Sequence, residues 1–430
     1  MRLVLRGGRV ICPASGRDET ADVVVENGRV SRLGRDAARD AEPGEHTRVV
    51  DAAGLWVLPG FVDLHAHLRE PGQEYKEDVR SGLAAAAAGG FTTVLAMPNT
   101  RPAIDNRATV ESVKARAREA GGPTLIPVGA VTLGREGKHL TEMFDMRDGG
   151  VRMVSDDGAC VMSPAVMRRA LEYARNADLV VCQHCEDTSL TEGAQMHEGR
   201  ISTQLGLRGW PRVAEDIIVA RDLLLAEYTG ARYHVAHVSS LGAVRLLREA
   251  KSRGLPVTAE VTPHHLTLTD ARLLGYDTAC KVNPPLREEE DRQALLDALV
   301  DGTIDCIATD HAPHSSLEKD SEFAEADKGM IGLETALPVL LDLVRAERIG
   351  LPRLVAALTW SAASVIGLEA GALREGSRAD VTVVDPTARW TVTPSALRSK
   401  SSNTPWLGSE LTGVVRMTIA GGVVVHERAT

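Results

Sequence analysis

The chain has 430 residues, with 49 Lys and Arg against 59 Asp and Glu, and a formal charge of -10. That length allows a large core, in one big domain with something smaller beside it. The acidic balance gives no support to binding nucleic acid through a basic surface. No uninterrupted apolar run reaches membrane-spanning length.

Aromatic residues make up only 3% of the chain, so the core has to be built from Ala, Val, Leu and Ile. The N-terminal MRLVLRGGRV alternates and lacks a signal-peptide core. The six cysteines, at positions 12, 160, 182, 185, 280 and 306, lack disulfide-framework spacing. Together these predict a protein of the reducing cytoplasm. Cys182 and Cys185 form C-x-x-C without a second pair, and Cys182 reads as a core residue rather than a zinc ligand.

Residues 3–12, 21–29 and 48–58 are short alternating segments broken by Gly, Asn and charge, with a turn at Glu26 to Gly28. Residues 379–385, 411–419 and 423–426 look alike, with a Gly421–Gly422 turn. The two β-rich ends, 1–57 and 371–430, suggest one small sheet domain assembled from both termini. Between them, in 58–370, short apolar strands near 58–64, 91–97, 124–130, 151–154, 179–184, 233–238, 257–262 and 304–309 alternate with helical patterns. The helices are expected near 76–88, 106–120, 163–176, 212–228, 240–252, 290–300 and 332–345. Buried strands alternating with amphipathic helices predict a parallel sheet, and eight of them fit a closed (β/α)8 barrel.

Polar residues fall where these strands end. His65 and His67 follow the first, in PGFVDLHAHLREPG. Residues two apart in an extended segment project to one side, so the pair point together, with Asp63 and Arg69 expected alongside. Asp156 and Asp157 follow the fourth strand, His184 ends the fifth, His237 the sixth and Asp310 the eighth. In a barrel these ends open onto one face, where such folds place their chemistry. Four histidines with one or two carboxylates can hold a pair of divalent ions, and imidazole ligands suit zinc. Asp157 is the candidate for a carboxylate shared between ions, and Asp156 is its competitor. Asp310 can bind an ion and also move a proton. His264 and His265 read as packing beside the strand end, His234 as facing away from His237, and His311 as turned away from the site.

HAHLREPGQEYKED at 65–78, AAAGGFTTVLAMPNT at 86–100, SDDG at 155–158, EVTPHHL at 260–266, KVNPPLR at 281–287 and DCIATDHAPH at 305–314 together resemble the metal-dependent amidohydrolase superfamily. Within it they resemble the bacterial class I dihydroorotases. GMIGLETALP at 329–338 continues the likeness, which covers nearly the whole chain. The resemblance implies a (β/α)8 barrel beside a small β-sandwich built from both termini. It implies two zinc ions per subunit, held by His65, His67, Asp157, His184, His237 and Asp310. It also implies hydrolysis of L-dihydroorotate to N-carbamoyl-L-aspartate, and the reverse closure used in pyrimidine synthesis. Attack is expected at the carbonyl between the ring nitrogens, with Asp310 as the proton carrier.

Arg69 can fork onto the substrate carboxylate, Asn99 and His314 can donate hydrogen bonds, and Asn283 can bind a ring amide. A backbone contact at Gly329 carries over, although Lys328 stands where relatives often have an aromatic residue. The loop 312–329 can cover the mouth or lie solvated beside it. A homodimer and an association with aspartate transcarbamoylase are the expected assemblies. The competing readings are an allantoinase or dihydropyrimidinase, which needs no clamp for a carboxylate, and an inactive structural partner of the transcarbamoylase, which would have lost metal ligands.

Overall fold

The computed structural model describes residues 2–428. The chain begins with β1 (Arg2–Cys12), β2 (Arg17–Glu26), β3 (Arg29–Gly34), β4 (Thr47–Asp51) and β5 (Trp56–Pro59). The middle adds β6 (Phe61–Ala66), β7 (Phe91–Ala96), β8 (Thr124–Pro127), β9 (Met153–Val154) and β10 (Val180–Gln183). A two-strand ribbon of β11 (Met196–His197) and β12 (Gly209–Trp210) precedes β13 (Tyr233–Val235), β14 (Val257–Val261) and β15 (Cys306–Ile307). The chain finishes with β16 (Val381–Thr391), β17 (Glu410–Ala420) and β18 (Val423–Glu427).

The two ends meet in one sheet ordered β18-β17-β16-β5-β1-β2-β3, with β4 alongside β1. Antiparallel pairing of β5 with β16 is the seam. Leu3, Leu5, Val23 and Val57 from one end pack with Val381, Val383, Met417 and Ile419 from the other. The apolar run expected at 58–64 therefore divides, its first residues joining this sheet and the rest starting the barrel. Gly60 sits at the division. A Cβ there would lie 2.2 Å from the Thr92 hydroxyl, so only glycine lets the chain pass.

The barrel is parallel and closed. β6-β7-β8 form one run and β9-β10-β13-β14-β15 another. Parallel bridges Gly129↔Val154 and Ala66↔His311 join the runs at both seams. Val62, Leu64, Leu95, Met153, Val180, Cys182 and Cys306 fill the interior. The helix Trp360–Val365, which sequence periodicity did not isolate, packs against the end where the strands begin.

Most outer helices start where local chemistry dictates. Asp78 and Ser81 form a capping box before Val79–Ala88, and Asn106 and Ser240 cap Arg107–Ala120 and Leu241–Ser252. Ser163 caps Pro164–Asn176 with proline at its first position.

Candidate active site

The carboxyl ends of the barrel strands bring His65, His67, Asp157, His184, His237 and Asp310 together, all buried. The His65 and His67 rings lie 5.3 Å apart, His65 and His237 5.0 Å, and His184 and His237 4.8 Å. Asp157 sits between them. Its Oδ1 is 3.3 Å from His65 Nε2, 3.5 Å from His237 Nε2 and 3.8 Å from His184 Nδ1. Its Oδ2 is 3.5 Å from His67 Nε2. Asp310 Oδ1 lies 3.1 Å from His67 Nε2 and 3.6 Å from His65 Nε2. Two ion-sized groups result, His65–His67–Asp310 and His65–Asp157–His237, sharing His65.

Asp156 is engaged elsewhere. It accepts from the N–H groups of Val131 and Thr132 and from the Thr132 hydroxyl, bracing the loop after β8. Asp63 likewise leaves the histidines' side, contrary to strict alternation. An extra residue on β6 between Asp63 and Ala66 breaks the two-residue period against β7. Asp63 instead accepts from the N–H of His65 at 3.2 Å and of Thr309 at 2.9 Å. Arg69 is not extended either, having φ 62, and His237 and Asp310 have φ 29 and 48.

The turn at His237 explains a second departure. Alternation predicts that His234 faces away from His237, yet His234 points into the barrel as well. Its Nε2 stands 3.1 Å from Glu260 Oε2 and its Nδ1 2.7 Å from the Thr258 hydroxyl. Glu260 Oε1 is 2.7 Å from His65 Nδ1. Glu186 Oε2 similarly stands 2.9 Å from His184 Nε2. Neither glutamate was singled out in the sequence. Glu260 had a signal: a charge inside the apolar strand VTAEV has to find a partner or destabilise the fold. His311 turns away as expected, toward Glu77 at 3.3 Å, and His265 packs against Thr262 and the Pro284 carbonyl.

The electrostatics favour a cation at the centre. Burial opposes charge on every group, but His65 is held well above the usual imidazole range by Asp157 and Glu260. Asp157 is held well below the carboxylate range by His65 and its other imidazole neighbours. Glu260 is pulled down to about 2 against its burial by His65 and His234. His65 Nε2 and Asp157 Oδ1 are buried without a hydrogen-bond partner. Buried polar atoms are ordinarily satisfied, and two orphaned ligand atoms 3.3 Å apart among four imidazoles fit a divalent ion. Cys182 and Cys185 are separately buried free thiols that take no part.

Above this centre lies a cavity of about 190 Å³ lined by Arg69, Asn99, Asn283, His314, Lys328 and Gly329, with His67, Asp157, His184, His237 and Asp310 also in its wall. Arg69 is buried, and burial lowers it to about 10, with nearby carboxylates resisting, so it stays cationic at neutral pH. Its Nε donates to the Pro313 carbonyl at 3.1 Å and one Nη lies 3.3 Å from His314 Nε2. Asn99 Oδ1 is 2.8 Å from His67 Nδ1. Asn283 donates to Glu186 at 3.3 Å while its Oδ1 has no partner. Gly329 differs from expectation. Its N–H donates to Lys281 O at 2.8 Å, and its carbonyl accepts from Lys319 and Asn403. With φ 143 and a Cβ position 2.8 Å from that of Ala312, it contributes space rather than a free hydrogen bond.

The cavity opens into a wider vestibule of about 970 Å³ bordered by Lys76, Arg101, Arg135 and Lys281. Residues 324–328 form part of its wall. That segment is tied down: Lys76 pairs with Glu318 at 2.7 Å and Asp327 at 3.2 Å, and Lys319 donates to Asp327 O at 2.7 Å. A protein with net charge -10 thus presents cations at this mouth.

The Dihydro-orotase-like family model matches residues 54–242. The dihydroorotase of Anaeromyxobacter dehalogenans is 55% identical over 427 residues, covering 99% of this chain and 98% of the relative. That of Trichlorobacter lovleyi is 51% identical over 425 residues, 99% of each chain. Among solved structures, the L-hydantoinase from Arthrobacter aurescens superposes with a TM-score of 0.88 at 25% identity, over 100% of this chain and 96% of its own. A dihydropyrimidinase from Brevibacillus agri gives 0.86 at 22% identity, over 99% and 95%, a likeness of fold. The barrel architecture is shared with those two solved structures, while more than half of all positions are shared end to end with proteins named dihydroorotase, and it is to the dihydroorotase family that this chain belongs.

Proposed function

We infer that this chain hydrolyses the ring amide of L-dihydroorotate to N-carbamoyl-L-aspartate and catalyses the reverse closure. The observation that carries the reading is Arg69: a buried guanidinium facing the same 190 Å³ cavity as the histidines and aspartates. A neutral ring such as hydantoin needs no such cation, whereas the carboxylate of dihydroorotate does. The free edge of Arg69 grips that carboxylate. Asn99, whose Oδ1 is committed to His67, donates from its amide nitrogen, and the unpaired Asn283 Oδ1 accepts from a ring N–H.

His65, His67, Asp157, His184, His237 and Asp310 would hold two divalent ions, zinc by the preference of imidazole. Bound there, such ions supply an activated water and polarise the carbonyl under attack. Bond balance corrects the point of attack. Cleavage at the carbonyl between the two nitrogens cannot leave an intact carbamoyl group, so attack falls on the carbonyl beside the ring methylene. Its bond to the adjacent nitrogen breaks, giving a new carboxylate and the terminal amide of the carbamoyl group. Asp310 takes the proton lost by the attacking oxygen and delivers it to the departing nitrogen, and in the closing direction it acts first as base on that nitrogen. Asn99, 2.8 Å from His67 Nδ1, keeps that imidazole turned toward Asp310 and the ion the two would share.

No helix among the described residues is long and apolar enough to cross a membrane. A cytoplasmic enzyme of pyrimidine synthesis, homodimeric and associating with aspartate transcarbamoylase, completes the reading. The test is ring opening of L-dihydroorotate by zinc-loaded protein, with hydantoin, dihydrouracil and allantoin alongside and metal content measured on the same sample. Turnover of dihydroorotate alone is expected. Turnover of only a neutral ring would overturn the role of Arg69, and an Asp310→Asn protein that keeps both its metal and its turnover would overturn the proton carrier.

A further inference from the structure

β16 and β17 pair directly at Thr391 and Glu410, where a turn of about 2–5 residues would close the hairpin. The chain instead makes an excursion through residues 392–409, without a helix or strand of its own. A loop of that length inside a compact fold is uncommon unless it has a function. This one is buried at Ser399, Ser401, Asn403 and Thr404. It leaves the terminal sheet and reaches the loop after the first barrel strand. The Lys400 N–H donates to Glu77 at 3.2 Å, its ammonium to the Glu74 carbonyl at 2.9 Å, and the Ser401 hydroxyl to the Lys76 carbonyl at 2.8 Å.

At Asn403 the excursion meets the wall of the inner cavity. Two segments make that wall, 311–314 following β15 and 329–331. They run parallel at the bridge His311↔Met330, and the Ala312 N–H donates to the Met330 carbonyl at 2.9 Å. Beyond that bond Asn403 joins them with its side chain. Its Nδ2 donates to the carbonyls of Ala312 and Gly329, each at 3.1 Å, and its Oδ1 accepts from the His314 N–H at 3.2 Å. Its own carbonyl accepts from the Ile331 N–H at 3.0 Å. A primary amide offers two N–H donors and one carbonyl, and this arrangement uses all three. Aspartate would lack the donors, and an apolar residue would leave buried groups unmet, which is costly at a position only 8% exposed.

What the amide holds is the support of the substrate clamp. Ala312 and His314 flank Pro313, whose carbonyl accepts from Arg69 Nε at 3.1 Å. The His314 Nε2 lies 3.3 Å from an Arg69 Nη and 3.0 Å from the carbonyl of Lys328, the neighbour of Gly329. None of Asn403's four hydrogen bonds reaches a candidate metal-binding residue. Asp310 is framed by other contacts, Thr309 bonding to Asp63 and His311 turning to Glu77. We propose that Asn403 is a positioning residue for substrate recognition, setting the spacing of Arg69, His314 and Gly329 around the cavity without acting on the ion site. The assignment rests on the reading of Arg69 and His314 as substrate contacts. It makes the terminal β16–β17 connection a part of the substrate site.

The experiment compares the zinc-loaded wild type with Asn403→Ala, Asn403→Asp and Thr404→Val. Alanine removes the staple, and aspartate keeps the shape without the donors. Thr404→Val is a buried change one residue away that leaves the amide in place, since the Thr404 hydroxyl only accepts from the Trp406 N–H at 3.5 Å. For both Asn403 variants KM for L-dihydroorotate is expected to rise ~10-fold, with kcat lowered less than about threefold and metal content as in wild type. Amide exchange read by mass spectrometry is expected to quicken over 312–316 and to stay unchanged over 61–67. Thr404→Val is expected to match wild type in KM and in exchange. If one Asn403 variant does not fold, the other carries the comparison. An unchanged KM in a folded, less stable Asn403 variant overturns the proposal, as does a loss of metal and kcat at constant KM, or an equal rise of KM in Thr404→Val. Should wild type open only a neutral ring, the proposed function fails and exchange alone decides the role of Asn403: faster exchange over 312–316 upholds it, and unchanged exchange overturns it.

Discussion

Glu260 Oε1 stands 2.7 Å from His65 Nδ1 while its Oε2 stands 3.1 Å from His234 Nε2. One buried carboxylate thus fixes which nitrogen of His65 faces Asp157 and Asp310. A carboxylate behind a ligating imidazole orients the ring and raises its basicity. The same arrangement recurs at His184, where Glu186 plays the part, and at His67, where the Asn99 carbonyl does.

Glu260→Gln keeps the shape and removes the charge. It is expected to weaken metal retention by 10–100-fold, the usual cost of losing a group behind a metal-bound histidine. Metal content after graded dialysis against a chelator checks this, with circular dichroism confirming the fold. Retention equal to wild type would show that Glu260 serves only to satisfy His234.

Arg69→Met removes the cation without changing the cavity's apolar bulk greatly. Loss of a buried charge partner to substrate is expected to lower kcat/KM for dihydroorotate by on the order of 10²–10³, about 3–4 kcal/mol. Metal content should not change, since Arg69 touches Pro313 and His314 rather than the ligand set. Steady-state kinetics with metal analysis on one preparation separates the two. A loss confined to metal content would move Arg69 from substrate recognition to structural support.

Much of this arrangement was legible in the chain itself, for a physical reason. Strands buried on both faces and helices with one apolar stripe write their positions as runs and periods, so the barrel elements fell close to expectation. The expected helix at 106–120, for instance, is Arg107–Ala120, stopped by Asn106 and Gly121. The candidate metal-binding residues were legible because each stands at or just beyond the end of an apolar strand. What escaped depends on departures from the period. The bulge that removes Asp63 from the histidines' side adds one residue against a partner 30 positions away. The φ of 29 at His237 has no local signature in a non-glycine residue. Glu186 and Lys76 act through partners brought in by the fold: Asn283 for one, Glu318 and Asp327 for the other.

His197 offers a pH test remote from the candidate metal centre. Burial lowers it to about 3, with Arg287 and Arg212 adding to the effect. In the unfolded chain it takes up a proton near pH 6.5, while in the fold it stays neutral. The unfolded state therefore binds more protons as pH falls, and stability is lost from about pH 7 down toward 3. This single group is expected to remove about 2 kcal/mol between pH 7 and pH 5. Urea midpoints of wild type and His197→Gln at both pH values check it. The variant is less stable overall but should lose less on acidification, and parallel losses would refute the assignment.

Lys328 departs from the aromatic residue that the family resemblance leads one to expect, and its placement suggests what it does. Its ammonium lies 5.3 Å from the centre of the Trp210 ring, and the residue lines both the inner cavity and the vestibule. Burial pulls its pKa down while Glu186 opposes the shift. N-carbamoyl-L-aspartate carries one carboxylate more than dihydroorotate, and under the proposed function Arg69 takes the one common to both. The added carboxylate forms at the ion site, so a second cation at the cavity wall acts on it through the field it adds there, which the doubly charged open form feels more than the ring does. Lys328→Met is expected to raise KM for N-carbamoyl-L-aspartate by roughly 10-fold, about 1.4 kcal/mol, and KM for dihydroorotate by much less. Kinetics run in both directions on the same enzyme measure the split. Equal effects in the two directions would mean that Lys328 supports the mouth rather than reading the second carboxylate.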